Sequence, residues 1–185
     1  MSPWALNRFV RAVSNGAVFA YPTDTVWGLG CHPLIADAVL RLLSIKQRPV
    51  DKGLILLASQ LEQCLPYLAL SSDELRPLTR PAERPTTWLV PAGEFCPPWI
   101  RGQHATVAIR ITDHPLVARV CAGIDAPLVS TSANRSGRPT ARSALLVRRQ
   151  FGDQLDFIVG GYRTGGNRPS QIKSLAGGQI LRSAS

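Results

Sequence analysis

Apolar residues recur along the chain in two patterns, and each pattern predicts its own kind of element. Apolar positions three or four residues apart predict amphipathic helices, whereas short apolar runs between Gly or Pro residues predict strands. Helices are predicted at 4–16, 36–47, 114–123 and 141–152, and residues 60–80 are predicted to be helical in two pieces. Strands are predicted at 17–22, 53–59, 86–92, 106–112, 127–133, 156–161, 170–175 and 179–183.

Helices and strands alternate in this pattern, which is typical of a layered α/β protein. The neighbouring strands between 86 and 111, and those near the C-terminus, require antiparallel pairing. We therefore expect an α/β (α+β) fold whose twisted, mixed parallel and antiparallel sheet is flanked by helices. No repeat, low-complexity tract or linker interrupts the pattern, so one domain is predicted over residues 1–185. The Gly- and Arg-rich stretch 160–169 is predicted to be a mobile loop.

The charge of the chain narrows the choice of partners. A formal net charge of +9 at pH 7 favours an anionic partner: a nucleic acid, a nucleotide or a membrane surface. Genomic base composition is the alternative explanation, and it accounts for the preference for arginine over lysine. It does not account for the scarcity of acids in the C-terminal third, where only Asp153 and Asp156 follow Asp125.

Cysteine, histidine and apolar content argue against several classes of protein. The four cysteines form no CxxC pair and the three histidines show no metal-binding spacing, so no metal site is predicted. Reduced thiols and a cytoplasmic location are expected. Arg8 and Arg11 interrupt any signal-peptide segment, and no apolar run approaches the roughly 20 residues that span a bilayer. His114 is expected to lie at the start of a helix and not to act as a catalytic base.

Polar residues follow the first predicted strand. Thr23, Asp24 and Thr25 place two hydroxyls and a carboxylate at a strand end, where ligands commonly bind in layered α/β proteins. Gly28 and Gly30 would let the backbone approach a bound group closely. The alternative is a polar turn with an Asx-type hydrogen bond, and the stretch taken alone favours that alternative. Neither a Walker loop nor a GxGxxG fingerprint occurs in the chain.

Three cations, Lys46, Arg48 and Lys52, lie within seven residues just before a predicted strand. A cation at a helix C-terminus interacts favourably with the helix dipole, which would account for Lys46. It accounts less well for Arg48 and Lys52, because Pro49 has already ended the helix. A polyanion between the three would offset their repulsion, and a phosphate chain suits both arginine and lysine.

A second polar turn, at 130–140, follows another predicted strand. Thr131, Ser132 and Asn134 offer hydroxyl and amide groups between flanking arginines, which suits contacts to phosphate or ribose. The alternative is a Ser/Thr-rich turn that caps the helix beginning near Ala141. A GxSxG elbow is absent, which argues against a serine hydrolase.

Together these segments resemble the YrdC-like family of threonylcarbamoyl-AMP synthases, in its single-domain bacterial form. The resemblance runs from about Tyr21 to Arg182 in the family's order. A Lys-x-Arg pair combined with a Ser-x-Asn pair is specific, whereas either pair alone is weak. The segments that carry it are YPTDTVWGLGC, KQRPVDKGLIL, PTTWLVPA, VAIRITDHPLV, PLVSTSANRSGRPT, PSQI and QILR.

The resemblance implies an enzyme, a nucleotidyltransferase that converts L-threonine, bicarbonate and ATP into threonylcarbamoyl-adenylate and pyrophosphate. Proteins of a tRNA threonylcarbamoyl-transferase complex would then modify the adenosine beside the anticodon in tRNAs that read codons beginning with A. Mg²⁺ is expected to arrive with ATP, without a tightly bound protein metal site. We also expect contact with tRNA or double-stranded RNA, and none with a membrane.

The resemblance further implies roles for individual residues. The catalytic residues, from the Lys-x-Arg and Ser-x-Asn pairs, would be Lys46, Arg48, Ser132 and Asn134. Threonine and bicarbonate would bind near Thr23 and Thr25. The implied ATP-binding residues are Lys46, Arg48, Lys52, Arg110, Thr131, Ser132, Asn134, Ser170 and Arg182.

Three places depart from the family pattern. The Gly-Pro that often precedes the TTW strand is replaced by PAERP, and PSQI replaces Pro-Ser-Thr-hydrophobic, which leaves the ligand role of the turn at Ser170 open. Many relatives have a histidine near the substrate where Leu57 stands here, so no such contact is carried over.

Two other hypotheses fit part of the sequence. A non-catalytic double-stranded RNA- or tRNA-binding module of the same fold would use the same positive charge. It would not need the four motif residues together, and it would be expected to show surface aromatics for stacking bases. The other hypothesis is a carbamoyl-transfer domain of the hydrogenase-maturation type. Such a domain usually lies within a longer multidomain chain, and 185 residues are too few for that arrangement.

Overall fold

A mixed sheet runs through the protein, and the computed structural model describes it for residues 1–79, 83–161 and 169–183. Within those ranges the strands are β1 (Phe19–Tyr21), β2 (Gly28–Cys31), β3 (Ile55–Ala58), β4 (Thr86–Pro91), β5 (Thr106–Ile111), β6 (Leu128–Ser132), β7 (Phe157–Ile158), β8 (Gln171–Ser174) and β9 (Ile180–Arg182). The helices are α1 (Pro3–Ser14), α2 (Ala36–Lys46), α3 (Ser72–Thr79), α4 (Pro98–Arg101), α5 (Pro115–Ile124) and α6 (Ala144–Phe151).

The strand order in the sheet is β7-β1-β2-β6-β3-β5-β4-β8-β9. β1 and β7, β3 and β5, and β4 and β8 pair in parallel, while the other neighbours are antiparallel. The predicted mixed sheet is therefore confirmed, as are the antiparallel pairs β4–β5 and β8–β9. One domain over 1–185 stays a prediction.

Alternate residues of the central strands β3 and β6 pack into two separate hydrophobic clusters. Leu56 and Val129 belong to the larger cluster together with residues of α2, whereas Leu57 and Leu128 belong to the smaller one with residues of α1 and α5. Side chains alternate between the faces of a strand, so the clusters lie on opposite faces of the sheet. Helices thus flank both faces, as predicted.

Helix ends follow local chemistry. Ser2 caps α1, where its Oγ accepts from the Ala5 N–H at 3.3 Å, and the helix ends before Gly16 at φ +90°. The helix predicted from residue 141 begins at Ala144, because Ser143 supplies the N-cap. The region 60–80 does contain two pieces, but the first consists of short 3₁₀ turns at 61–63 and 65–67.

Within the stretch 21–30, only the residues between β1 and β2 form a turn. The glycine-rich segment from Gly28 onward is β2, a central strand of the sheet. β2 pairs with both β1 and β6. A Cβ on Gly30 would lie 2.9 Å from the Val129 carbonyl oxygen and 3.1 Å from the rings of Phe19 and Tyr21. Packing within the sheet, and not the approach of a bound group, therefore requires glycine at position 30.

Two further expectations from the sequence concern the loop at 160–169 and membrane-spanning segments. Of the loop predicted at 160–169, residues 162–168 lie outside the described residues. In the portion of the chain that is described, no helix is long and apolar enough to cross a membrane.

Candidate functional site

A cleft of about 430 Å³ opens over the sheet face that carries α1 and α5. Its floor is formed by alternate residues of the central strands, such as Ile55 and Leu57 of β3 and Ala108 and Arg110 of β5. Many of the residues that the sequence singled out line it. These are Thr23, Thr25, Arg48, Lys52, Arg110, Thr131, Ser132, Ser170 and Arg182.

Hydrogen bonds fix the direction of the hydroxyls in the turn after β1. The Thr25 N–H donates to Thr23 Oγ1 at 3.0 Å, and Thr23 Oγ1 donates to the Val26 carbonyl oxygen at 2.7 Å. The two threonine oxygens lie 3.1 Å apart. Because the single hydroxyl proton of Thr23 is already used, Thr25 must be the donor between them. The expected local turn is present, but it is built by Thr23 and not by Asp24.

Asp24 instead forms a largely buried ion pair with Arg110, which lies 86 residues away in the sequence. Arg110 Nη2 donates to Asp24 Oδ2, and Arg110 Nη1 donates to Thr25 Oγ1 at 3.1 Å. The side chains are 7% and 19% exposed, so the pair is held in a medium that screens charge poorly. Arg110 is thereby fixed beside the two threonines.

Lys46 lies at the end of α2 but points away from the carbonyls of its own helix. Its Nζ donates to the carbonyl oxygens of Ser132 and Asn134, the latter at 2.8 Å. Burial, reinforced by the positive charge of Arg48, lowers the pKa of Lys46 to about 7. The amine therefore supports the second polar turn from behind, and its side chain is not part of the cleft lining.

Asn134 also supports that turn. Its Oδ1 accepts from Ser132 Oγ at 2.6 Å, and its Nδ2 donates to the carbonyl oxygens of Arg135 and Arg138 at 3.0 and 2.7 Å. The structure thus brings Lys46, Ser132 and Asn134 together, with Ser132 facing the cleft. The alternative in which this turn caps α6 is wrong, since Ser143 is the cap.

The loop 47–54, which follows α2, meets the end of α4 at one rim of the cleft, and both supply further cations. Arg48 donates to the carbonyl oxygens of Lys52 and Gly53, at 3.1 and 2.9 Å from Nη2. The Leu54 N–H donates to the Ile100 carbonyl oxygen at 2.8 Å, which holds this loop against α4. Arg101, at the end of α4, consequently lines the same cleft.

Ser170, just before β8, and Arg182 of β9 contribute a further polar pair to the cleft. Ser170 Oγ lies 2.7 Å from Thr87 Oγ1, and the Ser170 carbonyl oxygen accepts from Arg182 Nη2 at 2.9 Å. Ser170 is therefore buried and held from two sides, and its hydroxyl is shared with β4.

Sequence reasoning missed several residues of the lining, including Arg101, His104 and Thr106. Thr106 and Arg110 alternate along β5 and could have been grouped by strand periodicity. Arg101 and His104 lie in a Pro-rich connection whose position no periodic pattern signals. His114 does lie at the N-cap of α5, as expected.

The electrostatics of the cleft are one-sided. Among the described residues that line it, Arg48, Lys52, Arg101, Arg110 and Arg182 carry positive charge and none is an aspartate or glutamate. In the same part of the chain, no group of three or more His, Cys, Asp or Glu residues could hold a metal ion. This arrangement suits a polyanionic ligand bound by arginine and lysine.

Comparison with known proteins agrees with these features. The Sua5/YciO/YrdC family model, described as Telomere recombination, matches residues 11–184. The chain is 46% identical to the threonylcarbamoyl-AMP synthase of Pseudomonas entomophila (strain L48) and 49% identical to that of Stutzerimonas stutzeri (strain A1501). Both alignments extend over 183 residues, 98% of this chain and 98% of the relative.

Solved structures share the fold. The crystal structure of P. abyssi Sua5 complexed with L-threonine has a TM-score of 0.88 at 29% identity. That comparison covers 98% of this chain and 54% of the other, so this chain spans about half the length of P. abyssi Sua5. E. coli YciO, with a TM-score of 0.86 at 22% identity over 98% of this chain and 90% of its own, shows the same fold.

Proposed function

The chain belongs to the Sua5/YciO/YrdC family, and we propose that its cleft forms threonylcarbamoyl-AMP and pyrophosphate from L-threonine, bicarbonate and ATP. The observation that carries this proposal is a single cleft with two chemically different ends. One end combines hydroxyls with the Arg110–Asp24 pair, and the other gathers cations without carboxylates. An amino acid and a triphosphate need such a pair of neighbouring environments.

The end lined by Thr23, Thr25 and Arg110 is the proposed threonine end. The P. abyssi Sua5 structure contains L-threonine, which supports a threonine site within this fold. We assign Arg110 to this end, although the family resemblance grouped it with ATP, because it donates to Thr25 at 3.1 Å. Its remaining N–H groups suit the substrate carboxylate.

The end lined by Arg48, Lys52 and Ser132 is the proposed phosphate end, with Arg101 nearby. Lys46 and Asn134 would act from behind it, by holding the turn that presents Ser132. Their assignment as catalytic residues is thus a proposal of indirect action, and not of contact with the phosphate chain.

The proposed reaction needs positioning and charge neutralisation, without a covalent enzyme intermediate. The threonine amine and bicarbonate give a carbamate with loss of water. A carbamate oxygen then attacks the α-phosphorus of ATP, and the bond to the bridging oxygen of the β-phosphate breaks to release pyrophosphate. The cations of the phosphate end would stabilise the charge that develops on the leaving group.

We propose that Mg²⁺ enters with ATP. Because the described residues offer no carboxylate in the cleft, the ion would be held by phosphate oxygens and water. When bound, Mg²⁺ would neutralise phosphate charge. The protein's own contribution would be to orient the phosphates through arginine and lysine.

We further propose that the product passes to tRNA through a threonylcarbamoyl-transferase complex, in the cytoplasm. The excess of positive charge supports a direct contact with tRNA or double-stranded RNA. Arg142, Arg148 and Arg149 lie exposed at or beside α6, away from the cleft lining, and suit such a contact. A purely non-catalytic RNA-binding module would not require the buried Arg110–Asp24 pair.

Pyrophosphate release from the purified protein, with ATP, Mg²⁺ and bicarbonate, tests the proposed function. We expect release to require L-threonine and to accompany the mass of threonylcarbamoyl-AMP. Arg48→Ala should abolish release in a folded protein, while Arg76→Ala, a change in an exposed ion pair with Asp73, should leave it unchanged. Threonine-independent release, or full activity of Arg48→Ala, would contradict the proposal.

A further inference from the structure

The two ends of the cleft differ in how their positive charge is compensated. At the phosphate end, Arg48, Lys52 and Arg101 have no carboxylate within ion-pair distance among the residues that the structure describes. Arg110 does have one, because Asp24 lies directly behind it and outside the cleft lining. The threonine end is therefore close to neutral, whereas the phosphate end is strongly positive.

We propose that Asp24 determines specificity, because its pairing with Arg110 lets the threonine end accept a zwitterionic amino acid and reject a phosphate group. This inference rests on the proposed function, since it assumes that the two ends receive threonine and ATP. It assigns to Asp24 a role that the motif residues do not cover.

Without a carboxylate beside it, Arg110 would favour a phosphate group over an amino acid. An unpaired, buried arginine attracts a dianionic phosphate about twice as strongly as it attracts a monoanionic carboxylate. ATP entering the wrong end would then compete with threonine. The Asp24 carboxylate repels both anions, but it repels the dianion twice as much, and a zwitterion with no net charge is affected least.

The hydrogen bonds at this end also favour an amino acid over a phosphate group. Thr23 spends its hydroxyl proton on the Val26 carbonyl oxygen, and Thr25 spends its proton on Thr23. Neither hydroxyl has a proton left to donate to a phosphate oxygen. Thr25 Oγ1, which accepts from Arg110, can still accept from one more donor. A fully ionised phosphate brings no donor, whereas an amino acid brings an ammonium group.

Arg110 is also oriented by the pair. Two of its five N–H groups are committed, to Asp24 and to Thr25, and its Nε is buried without a hydrogen-bond partner in the described part of the chain. The guanidinium is consequently held from one edge, which leaves its remaining Nη protons for a ligand. Asp24→Asn keeps an oxygen that can accept from Arg110, so it should retain this geometry. It removes only the negative charge that repels a phosphate group.

Competition by sulfate, an unreactive dianion, tests the inference. L-threonine binding to the full-length protein would be measured by titration calorimetry with sodium sulfate and with sodium chloride of equal ionic strength. For the wild-type protein we expect the same threonine Kd in both salts. For Asp24→Asn we expect sulfate to raise the apparent threonine Kd by about fivefold or more.

Asp156→Asn provides the matched control. Asp156 also pairs with an arginine, Arg41 at 2.7 Å, but it lies outside the cleft lining. Its variant loses the same charge and should remain insensitive to sulfate. An equal response of the two variants would show a general electrostatic or stability effect and would overturn the assignment to Asp24.

A wild-type measurement keeps the inference testable if Asp24→Asn does not fold. Sulfate should inhibit pyrophosphate release competitively with ATP and not with L-threonine, and competition with threonine would overturn the inference. Threonine-dependent turnover combined with a sulfate-insensitive Asp24→Asn would refute the role of Asp24 and leave the proposed function intact. A wild-type protein that neither binds threonine nor releases pyrophosphate would refute the proposed function itself, and the inference with it.

Discussion

ATP binding should cause the protein to take up a proton near pH 8, and the acceptor should be Lys46. Lys46 is 3% exposed, and this burial together with the positive charge of Arg48 lowers its pKa to about 7. A lysine with a lowered pKa is mostly neutral above that value. An anionic ligand beside it favours the charged form and raises the pKa again.

The size of the effect follows from the charges. If the nearest phosphate charge binds about 6 Å from Nζ, across the turn that Lys46 supports, it contributes about 2.8 kcal/mol at an effective dielectric constant of about 20, or about two pKa units. The pKa of Lys46 would then rise from about 7 to roughly 9. At pH 8 the protonated fraction would increase from about 0.1 to about 0.9, an uptake of roughly 0.8 protons per ATP.

Titration calorimetry in two buffers of different ionisation enthalpy, both at pH 8, measures this number. Lys46→Met should reduce the uptake to near zero, because the titrating group is gone. Lys52→Met is the control, since it removes a water-exposed lysine of the cleft. His104→Gln tests whether the imidazole that lines the cleft contributes.

Two results would refute the reasoning. Uptake below about 0.2 protons in the wild-type protein would mean that Lys46 is already charged, or that the phosphates bind too far away. Uptake in Lys46→Met equal to that of the wild-type protein would mean that another group titrates.

Two further predictions concern the rim of the cleft and RNA. Gly102→Ala should destabilise the protein by about 3 kcal/mol or more in urea unfolding, because the new Cβ would lie 2.2 Å from the Asp51 carbonyl oxygen at φ +66°. Gly137→Ala, with φ +73° and no atom within 4 Å, should cost only about 1 kcal/mol, and equal losses would contradict the backbone contact. Affinity for tRNA should fall about tenfold or more between 50 and 200 mM salt, and an affinity independent of salt would exclude phosphate contacts.

Much of the layered fold could be predicted from apolar periodicity, but β2 could not. Its sequence, Gly28–Cys31, contains two glycines, which lower strand propensity and resemble a turn. The strand forms nevertheless, because it pairs on both sides and because the rings of Phe19 and Tyr21 occupy the space where a side chain on Gly30 would lie. Local propensity was outweighed by a tertiary contact that the sequence pattern does not display.

The sequence indicated many of the residues that line the candidate site, but not how those residues pair with one another. Clusters of polar residues at strand ends pointed to Thr23, Thr25 and Ser132, and the structure places all three in the lining of one cleft. The pairing of Asp24 with Arg110 depends on contacts across 86 residues, and the burial of Lys46 depends on carbonyls 86 and 88 residues away. Sequence spacing carries no information on such distances.

The rim of the cleft shows how like charges can be held together before any ligand binds. Gly53 and Gly102, both at positive φ, let two loops approach so closely that a Cβ on Gly53 would lie 2.9 Å from the Arg101 carbonyl oxygen. Backbone hydrogen bonds join the loops, among them Gln103 N–H to the Asp51 carbonyl oxygen at 3.2 Å. The positions of Arg48 and Arg101 are thus set by backbone packing, which does not require a counterion. Repulsion between these cations remains in the free protein. Binding of a polyanion would relieve it, so the loops that hold Arg48 and Arg101 at this rim would favour a phosphate chain over a neutral ligand.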